Sequence, residues 1–112
     1  MEFNPYYYNA EIIKVYDGDT VTAVVDLGFD VKVKMKLRLL GIDTPELRGD
    51  ERPEGLVSRD YLRGMILDKN VLIETKKDKS GKYGRMLATI YLDDLNINEH
   101  LIQEGYAEIY GK

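Results

Sequence analysis

"VKVKMKLRL", Val31 to Leu39, alternates without a break, odd positions apolar and even positions basic. A period of two over nine residues belongs to a strand with one face on a core and the other in water. Val31, Val33, Met35, Leu37 and Leu39 are therefore expected to point inward. Lys32, Lys34, Lys36 and Arg38 fall on the outer face.

The flanking segments extend the same theme. Ala10 to Tyr16 and Thr20 to Leu27 are rich in Val, Ile and Thr and read as two further strands, with turn chemistry at Gly28-Phe29-Asp30 before the third. Downstream, Gly49 to Gly55 is a polar loop. From about Glu54 to Lys69, Val57, Tyr61, Leu62, Met65 and Ile66 recur at helical spacing, and Asn70 is the expected stop. Val71 to Thr75 and Arg85 to Leu92 return to strand, separated by a basic loop with glycines at 81 and 84. A turn at Asp93-Asp94 precedes a short helix from about Ile97 to Glu104. Asn96 and Glu99 have capping-box spacing at its start, and Gly105 stands at its stop. Three strands, helix, two strands, helix is an α+β order that is mainly β. It matches a five-stranded Greek-key barrel, the OB-fold, with two helices.

At 112 residues, 44% apolar and 32% charged, the chain is expected to form one domain over residues 1–112. No apolar run approaches a membrane span, and Met1 to Pro5 lacks the regions of a signal peptide. Localisation stays open between cytoplasmic and secreted after removal of a signal. The absence of cysteine excludes disulfides and thiolate metal sites. Nothing suggests an obligate oligomer, so a monomer is expected. The net charge of −4 hides a pattern: Val31 to Leu40 holds four bases and no acid, and Lys76 to Arg85 holds five bases and one acid. Two concentrated basic segments suit an anionic ligand even in an acidic chain, although either also reads as a solvated face.

Carboxylates interrupt the strands at two places. "VYDGDTV", Val15 to Val21, sets Asp17 and Asp19 around Gly18, and "RLLGIDTPE", Arg38 to Glu46, ends a buried run in Asp43 before Pro45. Asp and Gly are depleted in sheets, so the first interruption requires a reason beyond pairing. Carboxylates at neighbouring strand ends, with a backbone carbonyl such as that of Thr44, are hard ligands suited to Ca²⁺. Arg38 and Arg85 have the planar fork that takes phosphate oxygens bidentately, and Glu46 offers a base for water. Taken singly, each residue is more simply a turn, surface or loop residue.

Four segments in register change that balance. "DGDT" at 17–20, "RLLGIDTPE" at 38–46, "KYGR" at 82–85 and "INEHLIQEGYA" at 97–107 resemble the staphylococcal nuclease (thermonuclease) family in order and spacing. The resemblance implies an OB-type barrel that hydrolyses DNA and RNA with Ca²⁺, leaving 3′-phosphate ends. It implies Asp19 and Asp43 as carboxylate ligands, with the Thr44 carbonyl as a third. Glu46 becomes the general base or water-orienting group, and Arg38 and Arg85 bind phosphate and stabilise the transition state. Lys82 and Tyr83 match positions that contact the nucleotide. The loop after Glu46 is shorter than the prototype's, no counterpart of its third helix precedes Lys112, and Tyr110 lies one position out of register with the family's tyrosines.

The rival expectation is a non-catalytic nuclease-like module that binds nucleic acid or a protein. His100 is expected to be a surface or packing residue, and with no second His or Cys a zinc site is not expected. Tyr6-Tyr7-Tyr8 reads as a strand packing on the barrel, and Lys32, Lys34 and Lys36 as a solvated face that attracts polyanions.

Overall fold

One long strand organises the barrel. In the computed structural model, which describes residues 6–77 and 86–110, β1 (Tyr7–Asp17) is shared by two partners. Its first half pairs antiparallel with β5 (Asn70–Lys77), Tyr8 opposite Ile73, and its second half with β2 (Thr20–Asp26), Ile12 opposite Ala23. Register shifts between Ile12 and Lys14 and between Val15 and Asp17 let the strand bend from one partner to the other. Tyr7 and Tyr8 thus belong to a barrel strand, as expected, and that strand pairs along β5.

Closure comes from β3 (Lys32–Leu39), which pairs antiparallel with β2 and, over Leu37 to Leu39, parallel with β6 (Met86–Leu92). With β5 joined to β6, five strands close into the expected α+β barrel, and β7 (Leu95–Asn96) adds to β6. Two elements too short to read in the sequence, β4 (Ile42–Asp43) and β8 (Glu108–Ile109), form a separate antiparallel pair that ties the chain after β3 to its C-terminal segment.

Inward side chains fill the barrel in alternation: Ile12 and Val15, Val21 and Ala23, Leu37 and Leu39, Val71 and Ile73, Ala88 and Ile90. Helix α1 (Arg52–Ile66) adds Leu62 and Ile66, and α2 (Ile97–Gln103) adds Ile97 and Leu101. Fully burying each such Leu or Ile is worth about 1.5–3 kcal/mol. The alternation holds along β3, with the deepest burial in its second half. Leu37 and Leu39 are fully buried, Val33 and Met35 are half-buried, and Val31 lies outside the strand and exposed. Val33 and Met35 pack on the core opposite buried Val25 and Ala23 of β2, and only the hairpin tip from Asp26 to Val31 extends beyond it.

Helix α1 is shifted from its expected bounds, whereas α2 begins at Ile97 as expected. α1 starts earlier, with Pro53 in its first turn where a missing N–H costs nothing, and ends at Ile66. Leu67 is extended and Asp68 takes φ +62°, so the stop precedes Asn70, which opens β5. Val57 is 57% exposed and is not a core residue; the buried face of α1 runs through Gly55, Ser58, Leu62 and Ile66. Asn96 caps α2 as expected, its Oδ1 accepting from Glu99 N at 3.0 Å, and Gly105 follows with φ +84°.

A buried side chain unremarked in the sequence, Asn98, locks α2 to the sheet. At 4% exposure it accepts from Ile90 N (3.1 Å) and donates to Leu40 O (2.9 Å) and Ala88 O (3.0 Å). Truncating it would strand the Ile90 amide and the Leu40 carbonyl, each costing roughly 1–3 kcal/mol when left unpaired, while Ala88 O would keep the Leu40 amide at 2.8 Å. Asn98→Ala is therefore expected to lose about 3 kcal/mol of stability in urea unfolding. A loss below about 1 kcal/mol would show that the Ile90 amide and the Leu40 carbonyl find other partners.

Candidate active site

Two turns meet at one end of the barrel because a glycine lets them. Gly18, in the tight connection between β1 and β2, is buried against the segment after β4 and against α1. A Cβ there would meet Thr44 Cγ2 at 2.8 Å and Ser58 Cβ at 3.0 Å. The glycine is needed for close approach, not for an unusual φ. Ser58 in turn donates to Tyr106 O at 2.8 Å, so β1–β2, Thr44, α1 and the segment after α2 lock together around Gly18.

That approach sets Asp19 beside Asp43. Asp19 is only 8% exposed, and both its oxygens have donors: Thr20 Oγ1 at 3.1 Å and Thr44 N at 3.3 Å. Its own amide donates to Asp17 Oδ1 at 3.0 Å, so Asp17 makes the Asx-turn that the sequence allowed for it. Arg38, at the end of β3, places Nη2 at 3.7 Å from Asp19 Oδ2 and at 3.7 Å from Asp43 Oδ1. Nη1 donates to the carbonyls of Leu39 (3.2 Å) and Ile42 (3.1 Å), which fixes the plane of the fork. On the C-terminal side, Tyr110 N donates to Gly41 O at 2.9 Å as β8 pairs with β4, and the Tyr110 ring lies 5.1 Å from the guanidinium carbon.

The charges do not balance. Asp19 and Asp43 share a single guanidinium, and Asp17 is a third carboxyl nearby. Burial, together with the hydrogen bond and negative charge of Asp19, pushes the Asp17 carboxyl up to about 7. Hard oxygens in excess over positive charge are the chemistry that a hard divalent cation satisfies, and the donor set fits Ca²⁺. Among the described residues no three His, Asp or Glu side chains cluster closely enough to hold a metal unaided. Asp19 and Asp43 would therefore depend on backbone oxygen and water for the remaining positions.

Glu46 is brought near by a second glycine. Gly55 in α1 packs on the Pro45–Glu46 backbone so tightly that a Cβ would meet Glu46 O and Pro45 O. The Glu46 amide donates to Glu51 Oε1 at 3.2 Å, while its carboxylate is exposed and forms no ion pair among the described residues. Asp19, Arg38, Asp43 and Thr44 thus form one contact network, with Glu46 two residues beyond it. Arg85, Lys82 and Tyr83 lie outside the described residues. His100 is a packing residue, as expected: its ring nitrogen is 2.7 Å from Tyr61 Oη. An acidic cleft of about 600 Å³ adjoins Asp43 and Thr44, lined also by Glu51, Glu54 and Glu108. Gly18, Gly55, Ser58 and Tyr110 carry the site's placement. Of these the sequence flagged only the interruption at Gly18 and the nearness of Tyr110 to the family's tyrosines.

A closed five-stranded barrel with a carboxylate–guanidinium network at one end defines an OB-type domain with a polar site on its rim. A family model described as staphylococcal nuclease homologue matches residues 36–112, a span that takes in Arg38, Asp43, Thr44 and Glu46. The thermonuclease of Staphylococcus hyicus is 35% identical over 100 residues, covering 87% of this chain and 56% of that protein. An uncharacterized endonuclease of Haemophilus influenzae is 34% identical over 100 residues, covering 88% of this chain and 51% of its own length. An uncharacterized protein of Methanocaldococcus jannaschii is 30% identical over 129 residues, covering 93% of this chain and 60% of its own. The chain belongs to the staphylococcal nuclease homologue family, and it spans between about half and three-fifths of these relatives.

The raised carboxyl gives a pH dependence of fixed sign. Between the ordinary value of 3.8 and about 7, folded Asp17 keeps a proton that the unfolded chain has released. Stability of the metal-free protein therefore falls as pH rises through that window. Thermal melts in EDTA should show this slope in the wild type and a flatter one in Asp17→Asn, with the variant gaining most above pH 7. An unchanged slope in Asp17→Asn would assign the dependence to other groups.

Proposed function

We propose that this chain is a calcium-dependent nuclease that hydrolyses phosphodiester bonds of DNA and/or RNA, residues 1–112 working as one monomeric domain. One observation carries the reading: a single guanidinium nitrogen lies 3.7 Å from carboxylates of two separate strand ends. Family membership and the printed names of the thermonuclease and endonuclease relatives support it.

Arg38 is preset for phosphate. Its Nη1 hydrogens are spent on Leu39 and Ile42 carbonyls, leaving the Nη2 and Nε donors for two phosphate oxygens. Asp19, Asp43 and the Thr44 carbonyl would hold Ca²⁺, which supplies charge neutralisation at a phosphate oxygen. Glu46 takes a proton from water as the water oxygen bonds to phosphorus and the bond to the 5′-oxygen breaks. The leaving oxygen is protonated from solvent, giving a 3′-phosphate and a 5′-hydroxyl. Arg38 and Arg85 stabilise the charge that accumulates on the phosphoryl oxygens. Lys82 and Tyr83 contact the nucleotide flanking the scissile bond. Holding the backbone in this way reads no base sequence, so broad substrate tolerance follows.

Hydrolysis of a labelled oligonucleotide tests the reading. Activity should require Ca²⁺ and vanish in EDTA. Glu46→Gln should retain oligonucleotide affinity while turnover falls about 10²–10⁴-fold, the usual general-base contribution. Full activity in EDTA, or turnover of Glu46→Gln within about threefold of wild type, would overturn the mechanism. Calcium-independent binding with no hydrolysis would identify the chain as a non-catalytic module instead.

A further inference from the structure

Lys32, Lys34 and Lys36 have no part in the core or in the carboxylate network. All three are exposed, and among the described residues none forms an ion pair. They occupy alternate positions of β3 on the same face as Arg38, so the row runs about 20 Å along the strand and ends at the site. Across the ladder on that face stand Thr22 opposite Lys36, Val24 opposite Lys34 and Asp26 opposite Lys32. Asp26, the one carboxylate among these partners, is turned into the hairpin, its Oδ1 accepting from Gly28 N at 2.8 Å. Tyr16 of β1 lies 5.9 Å from the Lys36 ammonium.

The two sides of the site are thus electrostatically opposed. Beyond Asp43 lies the cleft with Glu51, Glu54 and Glu108, which repels a polyanion; beyond Arg38 lie three cations. A chain of phosphates held at Arg38 is directed along β3, toward the hairpin tip. There Phe29 is 99% exposed, flanked by exposed Leu27 and Val31. Gly28, Phe29 and Asp30 take φ of +81°, +55° and +60° in succession. A bulky aromatic on left-handed backbone with its whole surface in water is costly twice over, and the described fold recovers neither cost.

We propose that the outer face of β3 is a track for an extended single strand of DNA or RNA. Its phosphates pair with Lys36, Lys34 and Lys32 as the strand leaves Arg38, and one of its bases stacks on Phe29. An aromatic reaches the face of a base only when that base is unpaired, which selects a single strand over a duplex. The proposal rests on the nuclease reading for the presence of a strand at Arg38, but the track is a binding surface and is tested without turnover.

The experiment measures fluorescence anisotropy of a labelled oligothymidylate of about 10 nucleotides, within the site size of one such barrel, on the full chain in EDTA over a range of salt. Replacing Lys32, Lys34 and Lys36 together by Gln should weaken binding and lower the slope of log affinity against log salt by about 2, at ~0.7 per lost phosphate contact. Phe29→Ala should weaken binding about five- to a hundredfold, the value of one stacked base, with the slope unchanged. Calcium-dependent hydrolysis of a dinucleotide, too short to leave Arg38, should be the same in both variants. Lysine-variant binding within about twofold of wild type at an unchanged slope overturns the track, and so does equal loss of dinucleotide hydrolysis in both variants. Wild type that binds the strand through these lysines but leaves the dinucleotide intact defeats the nuclease reading and leaves the track standing.

Discussion

The placement of Arg38 between Asp19 and Asp43 is the constraint on which the rest of the site depends. Two carboxylates from different strand ends would repel each other at this separation, one of them buried. A guanidinium nitrogen 3.7 Å from each offsets that repulsion. The arrangement is possible only because β3 ends where β1 and β2 turn. Leu39 N donates to Asp19 O at 2.8 Å, so the ladder itself delivers Arg38 to the Asp19 turn. One cation against two carboxylates leaves a net negative charge at this end of the barrel.

Around this centre the fold uses close approach where a side chain would intrude. Gly18 admits Thr44, and Gly55 admits the Pro45–Glu46 backbone. The same helix that caps the barrel with Leu62 and Ile66 therefore sets the position of the exposed Glu46. The C-terminal segment closes the remaining side through a two-residue pairing, Ile42 with Ile109 and Asp43 with Glu108, which brings Tyr110 over Arg38. Stability and function are coupled here: the elements that complete the core also aim the polar groups.

Much of this was legible in the sequence, and the exceptions have physical causes. The period of β3 identified a strand and its polar face. It misplaced Val31 because periodicity reports which side a residue takes, not whether the core extends that far. Val57 fits a helical stripe, yet the buried stripe of α1 is set by small residues that allow close approach, a tertiary property invisible in spacing. Asn70 looked like a helix stop, whereas Asp68 adopts the left-handed conformation earlier. Asn98 carries three hydrogen bonds to the backbone but looks like any polar residue of a short helix. The pairing of β4 with β8 joins residues 42–43 to 108–109, too few and too distant for any local signal. Asp19, Arg38 and Asp43 were legible because carboxylates and a guanidinium at strand ends serve pairing poorly and chemistry well. Arg85, Lys82 and Tyr83 fall outside the described residues.

The central claim is that Asp19 and Asp43 act as one cation-binding unit assembled by Arg38. Calorimetric titration of Ca²⁺ into the wild type, Asp19→Asn and Asp43→Asn measures this without any substrate. The account predicts one ion bound per chain in the wild type and loss of binding in each variant, both remaining folded by circular dichroism. Retention of wild-type calcium affinity in both variants would contradict it.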